Sequence, residues 1–540
     1  MYRWLKAAAA ACLGAGICSA VLSISAPAVS FAAGTSQVFQ DIDGSFAKDA
    51  IMDLYQRKIV EGTAPGTFSP KKALTRAEGT KAMLELLKLQ PVGGGIPAFQ
   101  DVPKTAWYYG YVQAGVYLNL AQGKGSGKYR PADGVTRQEL AVWLVRFLKQ
   151  NAAGGSLSSL YSDAAQVADW AASSVYTVQK LGLMEGADGR FRPKAVVTRE
   201  EMAAVMDRIV TNRTYANPIS APVSQPIQLG WQYGQTDAEF KASVSASNIN
   251  VISPRWHFLN ADGTFVDSTE TALISWAKST GRKVWPLVGN RSNQQMTHAM
   301  LSNPGLSERA AASLTAYAAK YELDGLNLDF ENVLPADRAY LTSFIANLAG
   351  KLHQTGKKLS VCVSPDLGTD WTAAFDYAAL AKSADYIVLM GYDEHWGSDP
   401  APGPVASLAW VQSGLDKLLK QVGAGKVILG LPLYSRDWLV SSNGITISAE
   451  DLTLSEQNTR ISRYGIYPSW KSALGQYTAA YQLNGGRHQL WFEDSRSLTL
   501  KYQLGQSRRV AGFAYWSIGG EHEGLWKALN NATRFNGYSF

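Results

Sequence analysis

A pentapeptide that returns twice constrains the first half of this chain more than any other feature. Gly66-Thr67-Phe68-Ser69-Pro70 recurs as Gly127-Lys128-Tyr129-Arg130-Pro131 and again as Gly189-Arg190-Phe191-Arg192-Pro193. The aromatic residues lie 61 and then 62 positions apart, and eight residues after each comes an arginine: Arg76, Arg137 and Arg199. Repetition at such a period marks a tandem array of like units. Each unit also opens on an aspartate with an aromatic residue nearby, as in Phe99-Gln100-Asp101 and Tyr161-Ser162-Asp163.

The tetrads around those arginines are Thr75-Arg76-Ala77-Glu78, Thr136-Arg137-Gln138-Glu139 and Thr198-Arg199-Glu200-Glu201. Each reads as a capping box: the threonine hydroxyl accepts a backbone N–H at the start of a helix, and the glutamate three residues on reaches back. Leu140, Leu144 and Phe147 then recur at helical spacing. Capping asks nothing of the arginine, so three cations near helix starts become candidates for holding an anionic polymer. Residues 36–212 resemble three S-layer homology domains, whose hallmark is this Thr-Arg-x-Glu tetrad. The resemblance implies units at 36–90, 96–151 and 156–212 packed as a pseudo-trimer, with secondary cell-wall polysaccharide held in the grooves between them. It makes Arg76, Arg137 and Arg199 the expected polysaccharide ligands.

At 540 residues the chain has room for several cores, and its 46% hydrophobic and 18% charged residues describe a globular protein. The net charge is +7; loss of Arg3 and Lys6 with a leader would leave +5, compatible with an anionic wall polymer. There is no basic strip interleaved with aromatics, so nucleic acid is not expected as a partner. Arg3 and Lys6, an apolar run over 7–24 and the small residues around Ser30-Phe31-Ala32 read as a signal peptide over 1–33. Export with no membrane span afterwards is the expectation, and the wall the expected location. Cys12 and Cys18 leave with that segment, so Cys362, inside the strand-like run Leu359–Val363, is read as core packing. The six histidines lack metal-ligand spacing, and neither metal nor cofactor is expected.

Pro218, Pro222 and Pro226 make 213–227 read as a semi-rigid linker. Beyond it, from 228 to 540, short apolar runs alternate with amphipathic helical stretches. Candidate strands are 229–231, 249–252, 283–288, 325–330, 359–363, 386–390, 427–431, 489–492 and 512–516. Repeating βα units over some 310 residues suggest a closed α/β barrel of eight strands, with an open doubly wound sheet as the alternative. The expected architecture is therefore multidomain: three helical repeats, then a (β/α)8 barrel.

The chemistry concentrates in Asp324-Gly325-Leu326-Asn327-Leu328-Asp329-Phe330-Glu331. Strand alternation sends Leu326, Leu328 and Phe330 toward covering helices and Asn327, Asp329 and Glu331 into the barrel. Carboxylates in a core are costly unless they are used or hydrogen-bonded. Glu331 falls at the carboxyl end of the strand, where barrel enzymes keep their active sites.

This string resembles the Asp-x-x-Asp-x-Asp-x-Glu signature of glycoside hydrolase family 18. Met390-Gly391-Tyr392-Asp393, Leu429-Gly430-Leu431-Pro432-Leu433-Tyr434 and Tyr515-Trp516 are similar to other strand ends of that family. Asp324-Gly325-Leu326-Asn327 and Met390-Gly391-Tyr392-Asp393-Glu394-His395-Trp396 look most like its peptidoglycan-degrading N-acetylglucosaminidases. The resemblance implies catalytic positions at Glu331, Asp329 and Asp324, and substrate contacts at Asn327, Tyr392, Asp393 and Trp516. Asn327 departs from the usual middle aspartate of chitinases; its amide is expected to hydrogen-bond Asp329 without taking up charge. The implied reaction is retaining and substrate-assisted: Glu331 protonates the leaving oxygen, the acetamido group attacks, and Asp329 orients that group. The implied substrate is peptidoglycan, with chitin as the alternative and a non-catalytic sugar-binding barrel as a further one. With only some twenty residues between Phe492 and Gly512, no small inserted domain is expected there, so an open cleft is.

Overall fold

The computed structural model describes residues 38–522 and 524–540; the expected signal segment lies outside them. Among the described residues no helix is long and apolar enough to cross a membrane.

Each repeat contributes two helices: α1 (Lys48–Gln56) and α2 (Arg76–Leu86), α3 (Tyr109–Tyr117) and α4 (Arg137–Phe147), α5 (Asp169–Lys180) and α6 (Arg199–Thr211). The threonine–glutamate capping box forms at the start of α2, α4 and α6. The opening aspartate of each unit has an equally specific duty. Asp41 accepts the backbone N–H groups of Phe68 and Ser69 at 2.8 and 2.7 Å, and Asp101 and Asp163 repeat this clamp on Tyr129–Arg130 and Phe191–Arg192. The recurring pentapeptide is thus pinned to the start of its own repeat.

Between repeats the backbone closes a ring. Leu74 N–H donates to the Val197 carbonyl, Val197 to Val135 and Val135 to Leu74, at 2.8, 2.8 and 3.0 Å. One repeat alone would leave these groups unpaired, so three are the smallest closed set.

The segment expected to be a linker is not a spacer along its whole length. It begins as α7 (Arg213–Ser220), whose Tyr215 and Ile219 are buried. The Tyr215 ring packs on Phe540 at 6.0 Å. The repeat unit is docked on the end of the chain elsewhere too: Asn531 gives and takes hydrogen bonds with the Gln90 backbone at 2.7 and 2.8 Å. Lys149 Nζ donates to the carbonyls of Asn536 and Tyr538, and the Tyr538 hydroxyl to that of Leu87. The prolines shorten the helix, but the apolar residues between them find partners that local composition cannot reveal.

The second half is a parallel barrel. In chain order its strands are β1 (Ile227–Trp231), β2 (Val251–Ser253), β3 (Arg255–Leu259), β4 (Phe265–Asp267), β5 (Lys283–Val284), β6 (Leu287–Gly289), β7 (Gly325–Asp329), β8 (Lys358–Val363), β9 (Tyr386–Met390) and β10 (Val427–Pro432). A five-stranded antiparallel insert follows: β11 (Tyr434–Val440), β12 (Thr446–Thr453), β13 (Ser469–Lys471), β14 (Gln476–Leu483) and β15 (Gly486–Phe492); β16 (Gly512–Trp516) completes the barrel. Only Pro254 separates β2 from β3, and Trp285-Pro286 separates β5 from β6. Each pair is one stave interrupted where proline has no N–H to donate. The staves then run β1, β2/β3, β5/β6, β7, β8, β9, β10 and β16, and β16 pairs back on β1 with Gly512 beside Ile227. Eight parallel staves close.

Two expectations are corrected here. Residues 489–492 belong to β15 of the insert and not to the barrel. The insert therefore exists, upstream of where it was sought, and β11 and β12 wall one side of the barrel mouth, so the cleft is not open on that side.

Candidate active site

β7 carries its side chains as strand alternation requires. Leu326, Leu328 and Phe330 are buried outward, Phe330 stacking on Phe344 at 5.9 Å. Of the four polar residues of the string, only Asp329 and Glu331 come to the barrel mouth.

Asp324 precedes the strand at the amino end of the barrel. Its carboxylate takes Lys283 Nζ at 2.8 Å and the Val284 N–H at 3.0 Å. Seven residues of strand put it about 23 Å from Glu331. The expectation that Asp324 is catalytic is corrected: it ties β7 to β5. Asn327 is corrected as well. It is fully buried, accepts the Trp231 indole N–H at 2.8 Å, and donates to Ser360 Oγ at 2.9 Å and Cys362 Sγ at 3.4 Å. Those partners occupy its amide, so it neither bonds Asp329 nor reaches substrate.

Asp329 and Glu331 do reach a cavity of about 610 Å³ at the barrel mouth. Asp329 Oδ1 is buried without a hydrogen-bond partner among the described residues. Burial, and then the neighbouring Glu331 carboxylate, push Asp329 up to about 7. Burial also raises Glu331, with Asp393 adding to it and a 3.0 Å hydrogen bond from Ser292 Oγ opposing it. Asn290 fixes the Glu331 backbone from both sides, accepting its N–H at 3.1 Å and donating to its carbonyl at 2.7 Å. A carboxyl that keeps its proton toward neutral pH beside a second buried carboxyl is equipped to donate that proton.

The cavity brings together Tyr392, Asp393 and Trp516, all expected from the sequence. Trp516 lies edge-on to Trp231 at 5.8 Å and against Tyr233 at 5.3 Å, leaving an aromatic floor. Asp393 is held by the Tyr434 hydroxyl at 2.6 Å and by Arg436 at 2.8 Å, and Arg436 also pairs with Asp451 at 2.7 Å. Sequence reasoning missed Asn290, Ser292, Arg255, Arg436 and Asp451, and gave Tyr434 no role beyond its place in the Leu429–Tyr434 strand-end motif. They stand on other staves or on the insert, and no local pattern links them to β7.

The repeat arginines are staples. Arg76 is 3% exposed, donates to the carbonyls of Tyr129 at 3.0 Å and Gln122 at 2.7 Å, and lies over the Tyr129 and Trp143 rings. Arg137 does the same to Phe191 and Glu185, and Arg199 to Phe68 and Glu61. Each repeat thus grips the pentapeptide loop of the next, around the ring. The expectation that capping leaves these cations uncommitted is corrected for all three, and most completely for Arg76. Arg199 and Arg137 still border clefts of about 530 and 330 Å³, each with an exposed aromatic from another repeat, Trp107 and Phe46 respectively.

Residues 243–521 match the family described as Glycosyl hydrolases family 18, and residues 38–78, 98–141 and 160–203 match the S-layer homology domain. The chain is 28% identical over 319 residues to "Uncharacterized glycosylase YvbX" of Bacillus subtilis, covering 57% of this chain and 91% of that one. It is 27% identical to the "Cortical fragment-lytic enzyme" of Bacillus anthracis over half of this chain, and spans 64% of that relative's length. Among solved structures, a chitinase from Chromobacterium violaceum superposes with a TM-score of 0.52 at 27% identity, covering 57% of this chain and 98% of that one. The C-terminal domain of a putative chitinase from Desulfitobacterium hafniense gives 0.54 at 25%, with 57% and 100% covered. S-layer homology domains indicate attachment at the cell surface.

Proposed function

Because the chain belongs to the glycosyl hydrolases of family 18, we propose that it is a secreted, wall-anchored retaining glycosidase that cleaves the β-1,4-linked N-acetylglucosamine glycan of peptidoglycan. The observation that carries this reading is the pair Asp329–Glu331, both raised by burial at the mouth of a barrel cavity large enough for a sugar. Glu331 protonates the leaving glycosidic oxygen. The substrate's acetamido oxygen attacks the anomeric carbon, so no second protein carboxylate serves as nucleophile. Asp329 receives the acetamido N–H and balances the developing positive charge. Tyr392 holds the acetamido carbonyl, Asp393 meets a sugar hydroxyl, and Trp516 supplies the apolar floor. The units we assign are 36–90, 96–151 and 156–212 for anchoring and 228–540 for hydrolysis, after a leader over 1–33. The clefts bordered by Arg137 and Arg199 are our assignment for the wall polymer, with Arg76 serving the fold.

Chitin is the second reading, favoured by the similarity to a solved chitinase from Chromobacterium violaceum. Digestion of purified peptidoglycan and of chitin, with released ends identified by mass spectrometry, separates the two. N-acetylglucosamine at the new reducing ends of peptidoglycan, with little release from chitin, is the expected result.

The two carboxyls titrate as a pair. With Asp329 up to about 7, the working form holds one proton and loses it as pH rises. On a soluble substrate kcat/KM is expected to fall about tenfold per pH unit above neutrality. A profile flat to pH 9 would contradict the assignment of Glu331 as acid.

A further inference from the structure

Two arginines border the cavity, and they are not alike. Arg436 is neutralised by Asp393 and Asp451, both at ion-pair distance. Arg255, at the start of β3, has no carboxylate within ion-pair distance among the described residues. Its Nε is buried with no hydrogen-bond partner. Three rings surround its guanidinium instead, with Tyr233, Phe258 and Trp516 centroids at 5.0, 5.2 and 5.8 Å. Rings attract a cation but accept none of its N–H groups in-plane. A buried guanidinium N–H with no acceptor is unfavourable until a ligand supplies one. The planar fork of arginine is matched by a carboxylate.

Trp516 is the floor on which the reacting sugar rests in the proposed function, and Arg255 touches that same ring. A substituent on that sugar, or on the one beside it, falls within reach of the guanidinium. In a glycan of N-acetylhexosamines the group with the right charge and shape is a carboxylate on an ether side chain, such as the 3-O-lactyl group of muramic acid freed of peptide.

We infer that Arg255 is a specificity residue that binds such a carboxylate, so the chain acts on acidic, peptide-free N-acetylhexosamine glycan in preference to neutral glycan. This rests on the reading of the cavity as a sugar site. It adds the charge of the substrate, which the family alone leaves open. Arg255 also lowers both Asp329 and Glu331 through space. A purely electrostatic role would shift the pH profile and leave the choice between substrates unchanged.

The test uses the full chain carrying Glu331→Gln, so that ligand is bound and not turned over. Calorimetry compares three probes: the disaccharide N-acetylglucosaminyl-N-acetylmuramic acid, its lactyl methyl ester, and chitotriose. The free acid is expected to bind at least about tenfold more tightly than the ester, the scale of one charge-assisted contact. That margin should shrink as salt is raised. Adding Arg255→Gln should bring acid and ester within about twofold of each other, while Arg255→Lys, which keeps the charge but not the fork, should retain part of the margin. Equal affinity for acid and ester in the parent, or a margin that survives Arg255→Gln, would overturn the proposal while leaving the sugar site standing. Failure of all three probes to bind would remove the sugar-site reading itself, and this inference with it.

Discussion

Glu331→Gln is expected to lower kcat on peptidoglycan by at least about 10³-fold, toward the upper end of what a positioned general acid supplies. The amide is nearly isosteric and its carbonyl oxygen can still accept from Ser292 Oγ, and the Asn290 contacts are to the backbone and survive the change. Stability should therefore hold. The sign can be stated further. A carboxyl whose pKa is raised on folding binds protons more tightly in the native state, so its contribution is lost as pH rises through the folded pKa. Glu331 is raised, and glutamine cannot ionise, so the variant should be at least as stable as the parent above neutral pH. Reducing-end assays beside urea melts at pH 6 and pH 8 measure both effects. Retained turnover would remove Glu331 as the acid; collapse of the melt would show instead that its carboxyl is structural.

Arg76→Ala should do the reverse, destabilising the repeat unit and sparing the reaction. Its guanidinium is buried, bridges to two carbonyls of the next repeat and sits 3.6 Å from Glu139. Truncation leaves those two carbonyls without a partner and opens a void between Tyr129 and Trp143, while Glu139 keeps Lys124 at 3.0 Å and the Thr136 cap. A buried carbonyl left without its hydrogen bond costs about 1–3 kcal/mol, and two are left here. Arg199→Ala should cost less, because Arg199 keeps a face toward the cleft and its acidic neighbour Glu78 lies at 3.9 Å. Since the chain holds several cores, the repeat transition must be followed separately, for example by limited proteolysis across 38–212 as denaturant rises. An Arg76→Ala chain that melts like the parent yet leaves wall sacculi would restore the polymer-binding role expected from the sequence.

That contrast shows where reading the chain succeeded and where it failed. Capping boxes are local, a threonine and a glutamate three residues apart, so the tetrads were legible in full. The arginine between them has no local partner because its acceptor lies in the loop of another repeat, some fifty residues downstream for Arg76 and Arg137 and 131 residues upstream for Arg199. The same distance effect governs β7. Alternation within eight residues correctly sends Asp329 and Glu331 inward, but alternation carries no depth. Asn327 shares that face but lies below the mouth, enclosed by Trp231, Ser360 and Cys362, while Asp324, of the opposite parity, holds Lys283 before the strand begins. A family signature mixes residues of the reaction with residues of the register.

Residues 489–492 failed for another reason. A short apolar run bounded by turns has the same appearance in a barrel stave and in an antiparallel insert. Misassigning it hid the insert and made the cleft seem open.

Periodicity, caps and the acidic string on one strand pointed by themselves to three small helical repeats and an α/β domain with Asp329 and Glu331 on one inward strand face. Each of those depends only on neighbours a few residues away. Tertiary packing alone decided that the repeat arginines close a ring, that the supposed linker folds against the chain's end, and that Arg255, with no ion-pair partner among the described residues, borders the cavity of Asp329 and Glu331. Those outcomes rest on contacts between groups tens to hundreds of residues apart, whose partners become defined only once the backbone has closed around them.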